Sequence, residues 1–282
     1  MTELPAAIDV GSARIWLLND GRIPGPNGLD GMPSSIEVNA FLVRSMDRLI
    51  LVDCGFGDKW AAEEPDLRRA NGSVLDGLRR NGFEPEEIDV VVNTHLHVDH
   101  AGGDTRFETA GALVATFPRA DYLIQTAEWA FAGAPSAAWS HLFRRPDFWP
   151  LWDLGHLRLV DGPHRITEEV LCVPAPGHTP GHQAVRVESG GFAALLAGDA
   201  LPNDGSVRSP RDRSDLDVEP GTAAGTREAL IGWAVEHGAW LGLAHAGITL
   251  RRVDDILATA GEGAGAKAVA GAWDRVGPRG DD

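Results

Sequence analysis

The chain has 282 residues, 43% of them hydrophobic and 23% charged, which fits a globular protein and excludes collagenous or disordered classes. Its net charge of −16 makes it a poor partner for a polyanion, so no nucleic acid is expected to bind. No apolar run approaches the roughly 20 residues of a membrane helix. The start, Met1-Thr2-Glu3-Leu4-Pro5, lacks a basic segment followed by an apolar one. A cytoplasmic protein with no membrane contact is therefore the expectation. Two cysteines, Cys54 and Cys172, make no disulfide framework and read as buried free thiols.

In chain order, Phe41–Val43 and Leu49–Val52 read as strands around the turn Ser45-Met46-Asp47. Ser73 to Arg80 predicts a helix, with Ser73 as N-cap and Asn81-Gly82 as its stop. Ile88–Val92 is a continuous apolar run, as a strand buried on both faces requires. Ala120–Gln125, Val170–Val173 and Phe192–Ala197 read as further strands. Thr222 to His237 predicts a helix burying Ala224, Leu230, Ile231 and Val235; Trp240–Ala244 is a strand and Val253–Ala260 a last helix. This alternation argues for an α/β chain with helices covering sheets. Nothing in it reads as a linker, so a single domain over 1–282 is expected.

The chemistry concentrates in Thr94-His95-Leu96-His97-Val98-Asp99-His100-Ala101-Gly102-Gly103, directly after a predicted buried strand. Imidazole and carboxylate are ligands that zinc and its neighbours prefer. Alternate residues of an extended segment point the same way, so His95 and His97 can meet one ion. Asp99 and His100 follow where the chain turns and can face a second. Three of the chain's 10 histidines fall in this window, which chance loop histidines do not explain.

His95-x-His97-x-Asp99-His100 with Gly102-Gly103 resembles the signature of the metallo-β-lactamase-fold hydrolases. Further motifs resemble that family in the same order: Val52-Asp53-Cys54-Gly55, Pro176-Gly177-His178-Thr179-Pro180-Gly181-His182, Leu195-Leu196-Ala197-Gly198-Asp199 and Gly242-Leu243-Ala244-His245. The resemblance implies an αββα sandwich of two mixed β-sheets flanked by helices. It implies that His95, His97 and His178 bind one divalent ion, that Asp99, His100 and His245 bind another, and that Asp199 bridges them. The ions would be zinc, with manganese, iron or cobalt also accepted by such donors. Asp53 would orient a ligand histidine by accepting its other N–H, or be a plain turn carboxylate. His178 matches the third motif better than His182. His141, His156, His164 and His237 match no motif and read as surface or packing residues.

The resemblance also narrows the branch. Zinc β-lactamases usually place a cysteine where Asp199 stands. Glyoxalase II carries an appended helical region, for which Gly261–Gly271 is a weak basis, and the nucleic-acid branches insert a large domain. Acyl-homoserine lactonases carry a tyrosine three residues after the bridging aspartate, where this chain has Pro202; its one tyrosine, Tyr122, lies on a predicted strand. The long separation of His100 and His178 resembles the methyl-parathion-hydrolase-like branch. A dinuclear hydrolase cleaving a small lactone or carboxylic ester by a metal-bridging hydroxide is thus implied, with Asp99 as proton carrier; a phosphotriester or thioester is the alternative substrate. A di-iron flavin-coupled reductase and a non-catalytic binding module are the competing classes.

Four of the chain's nine tryptophans fall between Trp129 and Trp152. Trp129, Phe131, Trp139, Phe148, Trp149 and Trp152 could line an apolar substrate pocket, form a homodimer interface or pack as core. The glycine-rich loop Ile23 to Pro33 reads as a lid or a plain loop.

Overall fold

A computed structural model describes residues 6–24, 35–60, 72–247 and 249–259. Hairpins build the first sheet: β1 (Ala7–Val10), β2 (Ala13–Pro24), β3 (Ser35–Ser45) and β4 (Arg48–Val52) pair antiparallel in sequence order. The chain then crosses over through α1 (Val74–Arg80) and adds β5 (Val90–Val92) parallel to β4. The ligand-rich segment and α2 (Val98–Ala101) follow, then a separate ribbon of β6 (Thr105–Phe107) and β7 (Leu113–Ala115). Strand β8 (Asp121–Gln125) joins β5 in parallel. After α3 (Thr126–Gly133), α4 (Arg145–Phe148) and α5 (Pro150–Asp153), β9 (Leu157–Val160) closes this seven-stranded sheet.

The second sheet has six strands in sequence order: β10 (His164–Arg165), β11 (Val170–Pro174), β12 (Gln183–Ser189), β13 (Phe192–Leu196), β14 (Trp240–Gly242) and β15 (Arg251–Arg252). The crossover from β13 to the parallel β14 contains α6 (Asp204–Arg208) and α7 (Pro220–Glu236); α8 (Val253–Ala258) follows β15.

Side chains alternate between the two faces of a strand, and here both faces are covered. Val43, Ile50, Val52 and Val92 meet Val170, Cys172, Val185 and Leu196 between the sheets. Their neighbours Leu42, Leu51 and Val91 turn outward onto Leu78 of α1 and onto Phe148 and Leu151 of α4 and α5. On the far side, Leu195 and Leu241 pack under Leu230 and Ala234 of α7 and Val253 and Ile256 of α8. The result is a helix–sheet–sheet–helix sandwich, and it explains the unbroken apolar runs of β5 and β13. Each fully buried side chain of this kind contributes about 1.5–3 kcal/mol.

Helix α1 starts as expected: Ser73 accepts from the Asp76 N–H while the Asp76 carboxylate accepts from the Ser73 N–H. The predicted strands at 41–43, 49–52, 88–92, 120–125, 170–173 and 192–197 lie within or overlap β3, β4, β5, β8, β11 and β13. Two long strands, β2 and β12, were missing from the sequence reading. In β2 the polar run Asn19-Asp20-Gly21 coincides with a register shift, which breaks the alternation. In β12 the alternation of Val185 and Val187 with Arg186 and Glu188 is a strand pattern that the sequence reading passed over. Helix α7 buries Ala223, Thr226, Arg227, Leu230 and Ala234, whereas the expected Val235 is 45% exposed. Strand β14 stops at Gly242, so Leu243–Ala244 belong to the loop that follows. Residues 25–33 of the proposed lid, 261–271 and the last residue of the predicted final helix lie outside the described residues. Among the described residues no helix is long and apolar enough to cross a membrane. Cys54 and Cys172 are free and buried; burial pushes the Cys172 thiol up to about 12.

Candidate metal centre

The loops that carry the predicted ligands leave the carboxyl-terminal ends of strands. β4 and β5 are parallel, so Asp53 and the segment 93–97 emerge side by side. In the second sheet β11 and β13 both run antiparallel to β12, and β14 runs parallel to β13. His178, Asp199 and His245 therefore follow strands that point the same way. The turn at Asp53 needs a left-handed backbone, φ 61°. The end of α2 lies directly on that turn: a Cβ at Gly103 would stand 2.1 Å from the Cys54 carbonyl oxygen, so only glycine fits there.

The structure brings all seven predicted ligands together. His95, His97 and His178 offer nitrogens within 4.8 Å of one another; so do His95, His100 and Asp199, and Asp99, His100 and His245 with their ligand atoms. Asp199 sits between the groups. Its Oδ2 is 3.4 Å from His178 Nε2, and its Oδ1 is 3.4 Å from His100 Nε2 and 3.1 Å from His245 Nε2. Asp99 Oδ2 is 3.4 Å from His245 Nε2 and 3.7 Å from His100 Nε2. His97 Nδ1 and His178 Nε2 are 3.1 Å apart.

The opposite ring nitrogens are held from behind. Asp53 Oδ2 lies 2.8 Å from His100 Nδ1, while Asp53 also accepts the backbone N–H and hydroxyl of Thr94. His245 Nδ1 meets the Glu37 carbonyl at 2.6 Å. His178 Nδ1 lies 3.4 Å from Asp217 Oδ1. Such outer partners fix ring orientation and basicity in metal sites. On the inner side, His95 Nε2 and Asp199 Oδ1 are buried without a hydrogen-bond partner. Buried polar atoms are nearly always satisfied, so these orphans fit cations seated among them.

The electrostatics point the same way. Burial, with the neighbouring imidazoles, holds His95 and His97 well below the usual histidine range, in the neutral form that ligates. Burial also opposes charge on His100 and His245. There the carboxylates of Asp199 and Asp99 prevail, so His100 is pushed well up and His245 to about 9. Burial raises Asp199, but His245, His100 and His178 overrule it and hold the carboxyl well below its usual range.

Two contributors, Asp217 and Glu128, escaped the sequence reading, and His182 entered it only as the weaker alternative to His178. Asp217 supports His178 and forms a buried ion pair with Arg227 at 2.5 Å, which explains why α7 buries an arginine. His182 stays outside the ligand groups and accepts the Asp199 N–H through Nε2. Glu128 lies behind the loops of His95 and His178. No local spacing distinguishes these carboxylates from the other acidic residues.

A cavity of about 380 Å³ opens over the cluster, reached by His97, Asp99, His178, Asp199 and His245 and walled by apolar residues including Ile36, Phe56 and Leu142. The six aromatic residues expected to line a pocket are absent from its lining, which corrects that expectation. Phe148 is fully buried, and Trp129, Phe131 and Trp139 pack against the same core. Trp149 and Trp152 stack on Trp129, with centroids at 5.0 and 6.4 Å. Helices α3, α4 and α5 turn these rings onto the outside of the first sheet. The same stretch does reach the cavity, through His141, Leu142 and Arg144; His141, expected as a surface or packing residue, is part of its wall.

The family model of the metallo-beta-lactamase superfamily matches residues 36–256. An N-acyl homoserine lactonase of a Bacillus species is 27% identical over 169 residues, 55% of this chain and 59% of its own length; the chain thus spans about six tenths of that curated relative. Among solved structures, a probable metal-dependent hydrolase from Staphylococcus aureus has a TM-score of 0.73 at 21% identity, covering 85% of this chain and 91% of its own. AidC, a dizinc quorum-quenching lactonase in complex with a product, has a TM-score of 0.70 at 20% identity, covering 86% and 90%. The two structures share the fold with this protein. With the family model matched along most of the chain and the ligand motifs gathered at one end of the sandwich, this protein belongs to the metallo-beta-lactamase superfamily.

Proposed function

We propose that the protein is a dinuclear metal-dependent hydrolase of small lactones or carboxylic esters. The observation that carries this reading is the convergence of five histidines around Asp199, with the unpartnered buried Nε2 of His95 facing inward and a largely apolar cavity above. His95, His97 and His178 would hold one divalent ion, Asp99, His100 and His245 the other, with Asp199 shared; zinc suits this donor set. Bound ions of this kind supply Lewis-acid polarisation and an activated water at neutral pH.

The chain's own residues do the rest. Asp53, Glu37 and Asp217 hold His100, His245 and His178 in orientation. The walls at Ile36, Phe56 and Leu142 exclude bulk water and favour a neutral substrate. Asp99, whose side chain is 17% exposed and faces the cavity, is placed to take the proton from the attacking water and return it to the leaving oxygen. Pro202 lines the cavity where a tyrosine would otherwise stand, so no phenol assists there. The relatives named as lactonases support the lactone as substrate class.

The test is a panel of lactones, aryl esters, phosphotriesters and thioesters run with metal-replete, chelator-stripped and zinc-restored protein. Turnover of a lactone or aryl ester, lost on stripping and regained with about two equivalents of zinc, is expected. Turnover confined to phosphotriesters or thioesters would overturn the substrate class, and full activity without metal would overturn the mechanism.

A further inference from the structure

We propose that Glu128 is a positioning residue that fixes the separation of the two loops carrying His95, His97 and His178, and so sets the affinity for the ion those histidines would hold. This rests on the metal-dependent reading above. Glu128 lies in the first turn of α3 and is 1% exposed. Its Oε1 accepts the backbone N–H of Leu96 at 2.9 Å, the residue between His95 and His97. Its Oε2 accepts the hydroxyl of Thr179 at 2.5 Å, the residue after His178. A Cβ at Gly181 would fall 1.9 Å from the Glu128 nitrogen, so the third-motif loop is seated directly on the start of α3.

The two loops come from different sheets, one after β5 and one after β11, and between them His97 Nδ1 and His178 Nε2 approach to 3.1 Å. Metal–ligand distances must hold within about 0.2 Å, so something has to set the spacing of the loops before an ion arrives. One carboxylate bonded to both does so. An ionised carboxylate only accepts hydrogen bonds, which matches the two converging donors, the Leu96 N–H and the Thr179 hydroxyl. Glutamine in its place would turn an NH2 toward at least one of them. Glu128 does not line the cavity, so it acts through the loops and not on a substrate.

The experiment is a cobalt(II) titration of the chelator-stripped full chain, read by visible absorbance and by competition with a chromophoric chelator. Glu128→Gln and Thr179→Val are expected to weaken one of the two cobalt equivalents by about tenfold or more and to alter its absorption band. Glu128→Ala is expected to weaken it further; if it fails to fold, the first two variants carry the test. Glu169→Gln is the control. It alters a carboxylate bonded to Ser45 and Ser189 at the end of β3 away from the site, and should bind both ions like the parent whatever its melting temperature. Parent-like titration of Glu128→Gln and Thr179→Val would overturn the proposal, as would equal weakening in Glu169→Gln. A parent protein that takes up no cobalt would overturn the metal-dependent reading, and this proposal with it.

Discussion

The Nε2 of His182 accepts the backbone N–H of Asp199 at 3.0 Å. Burial keeps that imidazole well below the usual histidine range, so it is neutral and can accept. His178, four residues earlier, instead aims Nε2 at the Asp199 carboxylate. One motif thus supplies a ligand candidate and the residue that seats the central carboxylate. His178→Ala should lose about one of two metal equivalents. His182→Ala should keep both but melt lower, because an unpaired buried N–H costs about 1–3 kcal/mol. Elemental analysis with calorimetry separates the two; equal metal loss in both variants would refute the division of labour.

The cavity wall separates Leu142 from the tryptophan stack. Leu142→Ala should raise KM for an aryl ester several-fold, since it removes apolar contact at the substrate. Trp152, 59% exposed and stacked on Trp129, lies outside that wall, so Trp152→Ala should leave KM within about twofold. Steady-state kinetics on one substrate checks both.

The cluster of candidate ligands was legible because its members lie in the short segments that follow β5, β11, β13 and β14, and in such a sandwich these strand ends converge. His95, His97 and His100 are local in sequence, and His178, Asp199 and His245 sit in motifs of their own. The supports were not legible. Glu128 and Asp217 act on histidines dozens of residues away, and nothing near them in sequence records that partnership. The aromatic stretch misled because aromatic content does not say which way a ring faces. Short helices carried Phe148 and Trp129 to the outside of the first sheet, while the connection between α3 and α4 delivered His141 and Leu142 to the cavity. Strand β2 was hidden by its own bulge.

Tyr122 is predicted to be structural. Its hydroxyl accepts the Phe117 N–H and donates to the Asp104 carbonyl, both at 3.0 Å, with the ring fully buried. Tyr122→Phe should leave kcat on a lactone within about threefold and cost about 1–3 kcal/mol of stability, since two buried backbone groups lose their partner. A hundredfold fall in kcat at unchanged metal content would show that the phenol reaches the site.

Glu169 predicts an acid limb of the stability curve. Burial pushes its carboxyl up, but the hydroxyls of Ser12, Ser189 and Ser45 together outweigh that and hold it below its ordinary value. A depressed carboxyl contributes stability above its unfolded pKa of about 4.3, which is lost as pH falls through the folded value. Glu169→Gln should therefore lower the melting temperature at pH 7 and narrow its gap to the parent below about pH 4. A constant gap across that range would show that the hydroxyl cage does not stabilise the charge.

The last prediction concerns a buried ion pair beside the segment that carries two of the candidate ligands, Asp99 and His100. Lys59 and Asp147 lie 3.1 Å apart with side chains 1% exposed each. The Lys59 ammonium also donates to the carbonyls of Gly102 and Thr105, and Asp147 accepts from Trp60 Nε1 at 2.7 Å. The pair ties α4 to the residues immediately after α2, the helix that bears Asp99 and His100. Burial alone would raise the Asp147 carboxyl further; the Lys59 charge pulls it back. Removing one member leaves the other charged and dry, at a cost of about 3–5 kcal/mol. Asp147→Ala should thus destabilise strongly, whereas Lys59→Met with Asp147→Leu, which removes both charges at similar bulk, should recover much of the loss. Denaturant unfolding of the parent, the single variant and the double variant measures it. A single variant within about 1 kcal/mol of the parent would mean that water reaches the pair and that it does not anchor α4 to the site.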